Sequence, residues 1–264
     1  NENKIEILPF SIQLGDKSYF DGEITTDQII QFVQDTKKLP KTSAINEYQY
    51  TEHFEKLLKE NDAIIHFSIS SEMSMAYTNA VSASKKFKNV YVVDTRTLST
   101  GIALLAIYAK TLVDKGHDVK QVYEKVLERV GSVQVSFILK RLDYLYKGGR
   151  CSGLAFFGAN ILKIRPQIIV KDGKMQPNKK YRGDYNHIVK KYVSDVLNEY
   201  DKPDLNNVFI TYTTLDNQVI EEVKNILTER GFKNVLVTRA GGTITSHCGE
   251  NCMGILYIND GKNE

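Results

Sequence analysis

Residues 63–80, AIIHFSISSEMSMAYTNA, hold the transition on which the fold assignment turns. The run 63–69 is short, rich in Ile and Phe and bounded by polar residues, as in a buried strand. Ser70 and Ser71 stand where the chain must turn. From Glu72 onward Met73, Tyr77, Ala80 and Val81 recur at helical spacing, which predicts a helix over 72–84. A helix N-terminus leaves backbone N–H groups unpaired and carries partial positive charge, so it attracts a carboxylate or a phosphate. Serine is also a favoured N-cap, so the segment alone admits two roles for Ser71, cap and anion ligand.

The same alternation continues on both sides. Residues 4–13 alternate and turn through Leu14-Gly15-Asp16 ahead of Tyr19 and Phe20. Thr25-x-x-Gln28 is a capping box for a helix whose apolar face is Ile29, Ile30, Phe32 and Val33. Pro40 precedes Lys41-Thr42-Ser43, and Tyr50, Phe54, Leu57 and Leu58 form the stripe of the next helix. A strand at 90–93 and a helix at 98–114 follow the opening segment. Strands alternating with helices predict a mostly parallel sheet covered on both faces.

Past Gly131 the rhythm changes. The pattern predicts a strand at 133–139, a short helix at 142–146 stopped by Gly148-Gly149, and a helix at 154–162. A hairpin at 167–181 turns through Lys171-Asp172-Gly173-Lys174, whose Asp-Gly pair is a strong turn signal. A helix at 185–199, a strand at 208–212, a helix at 218–230 and strands at 234–238 and 254–258 complete it. The expected architecture is α/β with two domains, 1–131 and 132–264, the second carrying a mixed, partly antiparallel sheet.

Composition narrows the function classes. At 264 residues the chain can form two ordinary domains, and 42% hydrophobic with 25% charged residues is normal for a globular protein. A net charge of +3 with no dense Lys/Arg run argues against a nucleic-acid partner. No apolar stretch approaches the roughly 18–20 residues of a membrane span, and no signal-peptide pattern opens the chain. Three cysteines at irregular spacing read as reduced thiols, which with the rest points to the cytoplasm. The chain starts at Asn1 without Met, which reads as further sequence preceding it.

Three more polar clusters fall where elements end, the places at which α/β folds bind ligands. Thr42-Ser43 is a cap or a ligand pair ahead of the helix near Asn46. Lys147-Gly148-Gly149-Arg150 joins two glycines, which let backbone approach a ligand, to a permanently charged planar donor, and reads also as a glycine helix stop. The loop 238–247, TRAGGTITSH, ends in His247, a donor to a carboxylate or a structural histidine. His247, Cys248 and Cys252 fall short of a zinc set, so no metal is expected. Phosphate-loop, dinucleotide-loop and H-E-x-x-H signatures are absent, and Thr97-Leu98-Ser99-Thr100-Gly101 misses the nucleophile elbow at its first position. Asp94, after the strand at 90–93, reads as a catalytic group or as the cap of the next turn.

In this order the clusters resemble the DegV family of bacterial fatty-acid-binding proteins over nearly the whole chain. The resemblance rests on Leu8-Pro9-Phe10-Ser11, Thr42-Ser43, Ile69-Ser70-Ser71 with Ser74 and Tyr77, Val93-Asp94, Lys147-Gly148-Gly149-Arg150, Ile164-Arg165-Pro166, Lys171-Asp172-Gly173-Lys174, Tyr181-Arg182 and His247. It implies a non-catalytic protein with one long-chain fatty acid between its two domains. The resemblance places the carboxylate on the Thr42-Ser43 and Ser70-Ser71 hydroxyls, with Thr42 and Ser71 as direct ligands and Arg150 and His247 beside the head group. It also implies presentation of the acid to a separate fatty acid kinase, with Arg182 as the docking residue and Lys179 and Lys180 beside it. No other cofactor, nucleic acid or stable membrane insertion is expected.

Two departures stand out: Glu72 and Met75 occupy positions where the family usually has glycine, and the family's first strand before the Leu-Pro segment is missing. Two alternatives remain open to the residues alone. One is an enzyme acting on a small carboxylated or phosphorylated metabolite through Ser71, Asp94, Arg150 and His247. The other is an interaction module whose basic face is Lys179, Lys180, Arg182, Lys190 and Lys191.

Overall fold

The computed structural model describes residues 5–151 and 164–262. Strands β1 (Ser11–Leu14) and β2 (Lys17–Phe20) form a hairpin, and after helix α1 (Thr26–Thr36) strand β3 (Lys41–Ser43) pairs antiparallel with the other edge of β1. Helix α2 (Glu47–Leu57) leads to β4 (Ile64–Ser68), α3 (Ala76–Ser84) and β5 (Val90–Asp94), and β4 and β5 are parallel with Ser68 opposite Asp94. Then come α4 (Thr100–Asp114), α5 (Val119–Val130), β6 (Val133–Leu139) and α6 (Asp143–Gly148). Strands β7 (Arg165–Lys171) and β8 (Lys174–Tyr181), helix α7 (Tyr185–Glu199), β9 (Asn207–Tyr212), α8 (Asn217–Glu229), β10 (Asn234–Arg239), α9 (Gly242–Cys248) and β11 (Cys252–Ile258) finish the fold.

The later strands build one six-stranded mixed sheet in the order β10-β9-β11-β6-β7-β8, parallel only between β10 and β9. This is the mixed α/β architecture expected from the pattern. The parallel portion in the first half is the pair β4–β5, and the residues before it form an antiparallel sheet, because Gly15 (φ +61°) turns the chain straight back on itself. Strand β11 is buried along its whole length, as a central strand covered on both faces must be. One face carries α7 and α8 through Tyr192, Val196, Val223 and Leu227 against Ile210, Ile255 and Tyr257. The other face meets α4 through Leu104 against Val135, Phe209 and Leu256.

From Gly101 to Ala109 helix α4 is apolar all round for a physical reason, and Lys110 and Asp114 pair only at its exposed end. Leu104 faces the six-stranded sheet, while Leu105, Tyr108 and Leu112 pack on Val93 of β5 and Val122 and Val126 of α5. A helix buried between two layers has no solvent stripe to keep polar. Arg129 closes the same seam. It is 2% exposed, donates to Asp260 at 2.7 and 2.9 Å and to Asp204 at 2.8 Å, and lies 4.5 Å over the Tyr108 ring.

Four local readings change. Helix α3 starts at Ala76, not at 72, because Met73 and Ser74 turn back onto the Ser70 carbonyl. Residues 41–43 are a strand edge, held by Ile12 opposite Thr42. Helix α5 went unassigned although Asp118 and Gln121 form the same reciprocal capping box as Thr25 and Gln28. The segment read as a loop at 238–247 contains α9, whose cap comes from a distant residue. The helix expected at 154–162 lies outside the described residues.

One buried group sets an acid limit on the fold. His66 on β4 lies edge-on between Tyr50 (5.1 Å) and Phe54 (5.6 Å), and its Nε2 is buried without a partner. Burial, with a smaller push from His53, lowers its pKa from 6.5 to about 4. The unfolded chain therefore binds the extra proton first, so stability is full above about pH 6.5 and falls as the pH drops toward 4, by up to about 3 kcal/mol. His66→Phe keeps an aromatic ring in the slot and is expected to flatten this slope, read from urea midpoints at pH 7 and pH 4.5. Parallel slopes for the two proteins would assign the acid loss elsewhere.

Candidate functional site

The site is built where β3, α6 and α9 converge. Thr42 Oγ1 and His247 Nε2 are 2.8 Å apart, joining residues 205 positions apart in the chain. Gly148, at the end of α6, backs onto the other ring nitrogen: a Cβ there would lie 2.8 Å from His247 Nδ1. Arg150 extends from the same loop, its Nη1 donating to the Gly148 carbonyl at 2.6 Å. Burial, helped by the Arg150 charge, lowers the His247 pKa from 6.5 to about 4, so the imidazole is neutral at pH 7. A neutral ring with its proton on Nε2 donates to Thr42 Oγ1, which frees the Thr42 hydroxyl proton for an acceptor outside the pair. With the Arg150 cation beside it, this suits a carboxylate.

Ser43 is not part of this group. Successive residues of a strand face opposite ways, and Ser43 is exposed on the side away from Thr42. Ser70 and Ser71 belong to a second cluster. Ser70 is fully buried and its hydroxyl donates to the Gly173 carbonyl at 2.7 Å. Ser71 Oγ donates to Asp94 Oδ2 at 2.5 Å, and the Ser71 and Arg96 amides both donate to Asp94 Oδ1 at 3.1 Å. The parallel register explains this arrangement: Asp94 ends β5 beside Ser68, so its carboxylate meets the loop leaving β4. The anion expected near Ser71 is thus supplied by the chain itself. Asp94 and Arg96 are the contributors that the linear reading undervalued, and the strand-end position of Asp94 was the available signal.

Glu72 finds its counter-charges here. It pairs with Lys174 at 3.1 Å and with Arg96 at 3.5 Å, while Arg96 also donates to the Asp172 carbonyl. The tip of the β7–β8 hairpin is therefore fastened to the Ser70–Ser71 loop. Gly173 (φ +79°) permits the close approach, since a Cβ there would sit 2.6 Å from Ser70 Oγ. Met75, the other departure from the usual glycines, is 60% exposed.

Between the two clusters the structure is apolar. Leu98, Phe137, Leu142, Leu145, Ile168 and Met175 pack as one core, joined by Ile69 and Met73 from the serine loop and by Ile244 and Cys248 from the helix that carries His247. A narrow crevice of about 30 Å³ enters this core past Leu98, Ile244, Cys248, Cys252 and Leu256. The helix that carries His247 thus joins a polar pair to an apolar core through Ile244 and Cys248, a combination that suits an amphiphile. Among the described residues Ser71 and His247 share no hydrogen bond: Ser71 is bonded to Asp94 and Arg96, and His247 to Thr42. The three cysteines form no disulfide and are buried, and among the described residues no group of three His, Cys, Asp or Glu side chains could hold a metal. Among them also, no helix is long and apolar enough to cross a membrane.

Of the docking residues expected from the sequence, Arg182 is exposed beyond the end of β8. Lys179 and Lys190 are engaged with Glu199 and Glu222, each at 2.9 Å, which leaves the basic face less charged than its lysine count suggests.

Fold and site together define a mixed α/β protein with a polar Thr42–His247 corner on a helix that also packs into an apolar core. A family model described as "Uncharacterised protein, DegV family" matches residues 1–260, and the chain belongs to that family. A curated relative from Thermotoga maritima, named "Fatty acid-binding protein", is 29% identical over 259 residues, covering 95% of this chain and 89% of the relative. A DegV family protein of Thermus thermophilus, whose structure is described as fatty acid binding, superposes with a TM-score of 0.88 at 24% identity and covers 98% of this chain and 93% of that one. The Streptococcus pneumoniae Fatty Acid Kinase (Fak) B3 protein loaded with linoleic acid has a TM-score of 0.83 at 18% identity, covering 96% of this chain and 90% of that one.

Proposed function

We propose that the protein is a non-catalytic carrier of a long-chain fatty acid in the bacterial cytoplasm. The observation that carries this reading is the 2.8 Å Thr42–His247 pair, with Arg150 beside it, on the helix whose Ile244 and Cys248 belong to the apolar core. Thr42, His247 and Arg150 hold the carboxylate, and the acyl chain enters the core between the six-stranded sheet and the serine loop. Each buried methylene contributes about 0.8 kcal/mol, so the chain supplies most of the affinity and the polar corner selects the head group. Ser70 and Ser71 shape the floor of the site through their loop, while their hydroxyls stay with the Gly173 carbonyl and the Asp94 carboxylate. The fold divides near Gly131 into units 1–131 and 132–264, and the ligand lies between them. Mass spectrometry of a solvent extract from the purified protein is expected to find an acyl chain. A protein that carries none, and takes up none when offered, is not a carrier.

The kinship with a kinase-associated protein supports a second element. The carrier presents its carboxyl group to a fatty acid kinase, and exposed Arg182 is the docking residue. Arg182→Glu is expected to weaken kinase association at least tenfold while leaving fatty acid affinity unchanged, as read by surface plasmon resonance and calorimetry. Unchanged association removes Arg182 from the interface.

A further inference from the structure

Helix α9 begins with a pair of amides captured from across the molecule. The Asp21 carboxylate accepts from Gly242 N at 2.7 Å and from Thr243 N at 2.9 Å, a reach of more than two hundred residues. Two neighbours reinforce the seam: Thr26 Oγ1 donates to the Ala240 carbonyl at 2.8 Å and lies 3.0 Å from Thr245 Oγ1, and Arg239 forms a two-pronged pair with Asp27. The approach is tight enough that a Cβ on Gly242 would lie 2.4 Å from Ile12 Cδ1. Ile12 is the β1 residue opposite Thr42 in the register.

These contacts act on a short lever. His247 sits five residues beyond Gly242 on the same helix, a helical advance of about 7.5 Å, so the angle of α9 at its start sets where the imidazole falls. The strand that presents Thr42 is hydrogen-bonded to the strand that Gly242 rests against. One rigid body, made of β1, β3 and Asp21, thereby holds both partners of the pair. Gly242 and the β-branched Thr243, Ile244 and Thr245 of α9 are poor helix formers, so the short helix depends on its end contacts for order.

We infer that Asp21 is a positioning residue for the head-group corner, fixing α9 so that His247 meets Thr42 and the corner selects a carboxylate over an uncharged head. This rests on the carrier reading for its ligand, and on the fold alone for its geometry. Asp21→Asn keeps the size of the side chain and gives up one of the two acceptors with the negative charge.

Two readouts test it. The first needs no ligand: in the His247 imidazole resonances followed against pH, with Arg150 as the neighbouring charge, the midpoint is expected to move by at least one pH unit toward 6.5 in Asp21→Asn. The second compares a long-chain fatty acid with the alcohol of the same length. The acid should lose at least fivefold in affinity while the alcohol changes by less than twofold. A general loss of stability would lower both together, so an unchanged acid-to-alcohol ratio overturns the inference, as does an unchanged imidazole midpoint. If the wild-type protein binds neither compound, the carrier reading falls and the imidazole readout still decides the role of Asp21. Should Asp21→Asn not fold, Thr26→Val loosens the same helix start and is expected to move both readouts in the same directions.

Discussion

Arg129→Met is expected to cost about 3–5 kcal/mol of folding stability, read from urea unfolding at pH 7, although methionine fills much of the same volume. The reason is what stays behind. Asp204 and Asp260 each place a carboxylate against a guanidinium that is almost fully enclosed, and without it two negative charges face each other in a poorly hydrated seam. Burial alone would raise the Asp260 carboxyl, but its hydrogen bond to Arg129, with further help from the Lys262 amide and nearby charge, holds it below its ordinary value of 3.8. A carboxyl lowered in the folded state contributes stability above its unfolded pKa and loses that contribution as the pH falls through the folded value. The gap between wild type and variant should therefore narrow below about pH 4. Adding Asp204→Asn and Asp260→Asn to Arg129→Met should recover a large part of the loss, since the uncompensated charges are then gone. A variant as stable as wild type would mean that solvent, not Arg129, balances the two carboxylates.

His247→Ala is expected to weaken long-chain fatty acid binding by about 10- to 100-fold, because a hydrogen bond serving a charged group contributes about 1.5–3 kcal/mol. Substantial affinity should remain, since the acyl chain is untouched. Thr42→Val removes the other half of the same relay and should cost a similar amount. The double variant is then expected to be only slightly worse than the poorer single one, because the two side chains share one 2.8 Å hydrogen bond and act as a unit. Calorimetric titration of the four proteins reads the coupling directly. Additive losses would mean that the two residues serve the ligand separately, and four equal affinities would move the head group away from this corner. The imidazole also makes its own acid contribution: with a pKa near 4 in the fold against an ordinary 6.5, it destabilises the folded state as the pH falls through that interval, as His66 does.

Much of this molecule is written locally. The reciprocal cap Thr25/Gln28, the helix start near Asn46, the Asp172-Gly173 turn and helix α7 at 185–199 follow from residues a few positions apart, and the structure has them where the pattern puts them. So does the strand-to-loop transition at Ser70, because an apolar run of that length has few alternatives. The misreadings share one cause. Helix α9 reads as a loop because its cap, Asp21, is supplied from the opposite end of the chain, and no window around Gly242 contains it. For Ser71 the local sequence leaves cap and anion ligand both open, because Asp94, which takes its amide and hydroxyl, arrives through strand pairing 23 residues later.

Residue spacing by itself determined the kind of elements, the mixed α/β class and the polar clusters at element ends, and the resemblance to the DegV family implied a head group among them. Only the tertiary structure decided how that set divides: Thr42 and His247 into one hydrogen bond, Ser70 and Ser71 into a clamp on the hairpin, Ser43 outward to solvent. The physical reason is range. Helix caps, turns and apolar periodicity act over a few residues, whereas a binding corner is made by carboxylates, hydroxyls and imidazoles that reach their partners only after sheet register and helix packing have brought distant ends of the chain to within 3 Å.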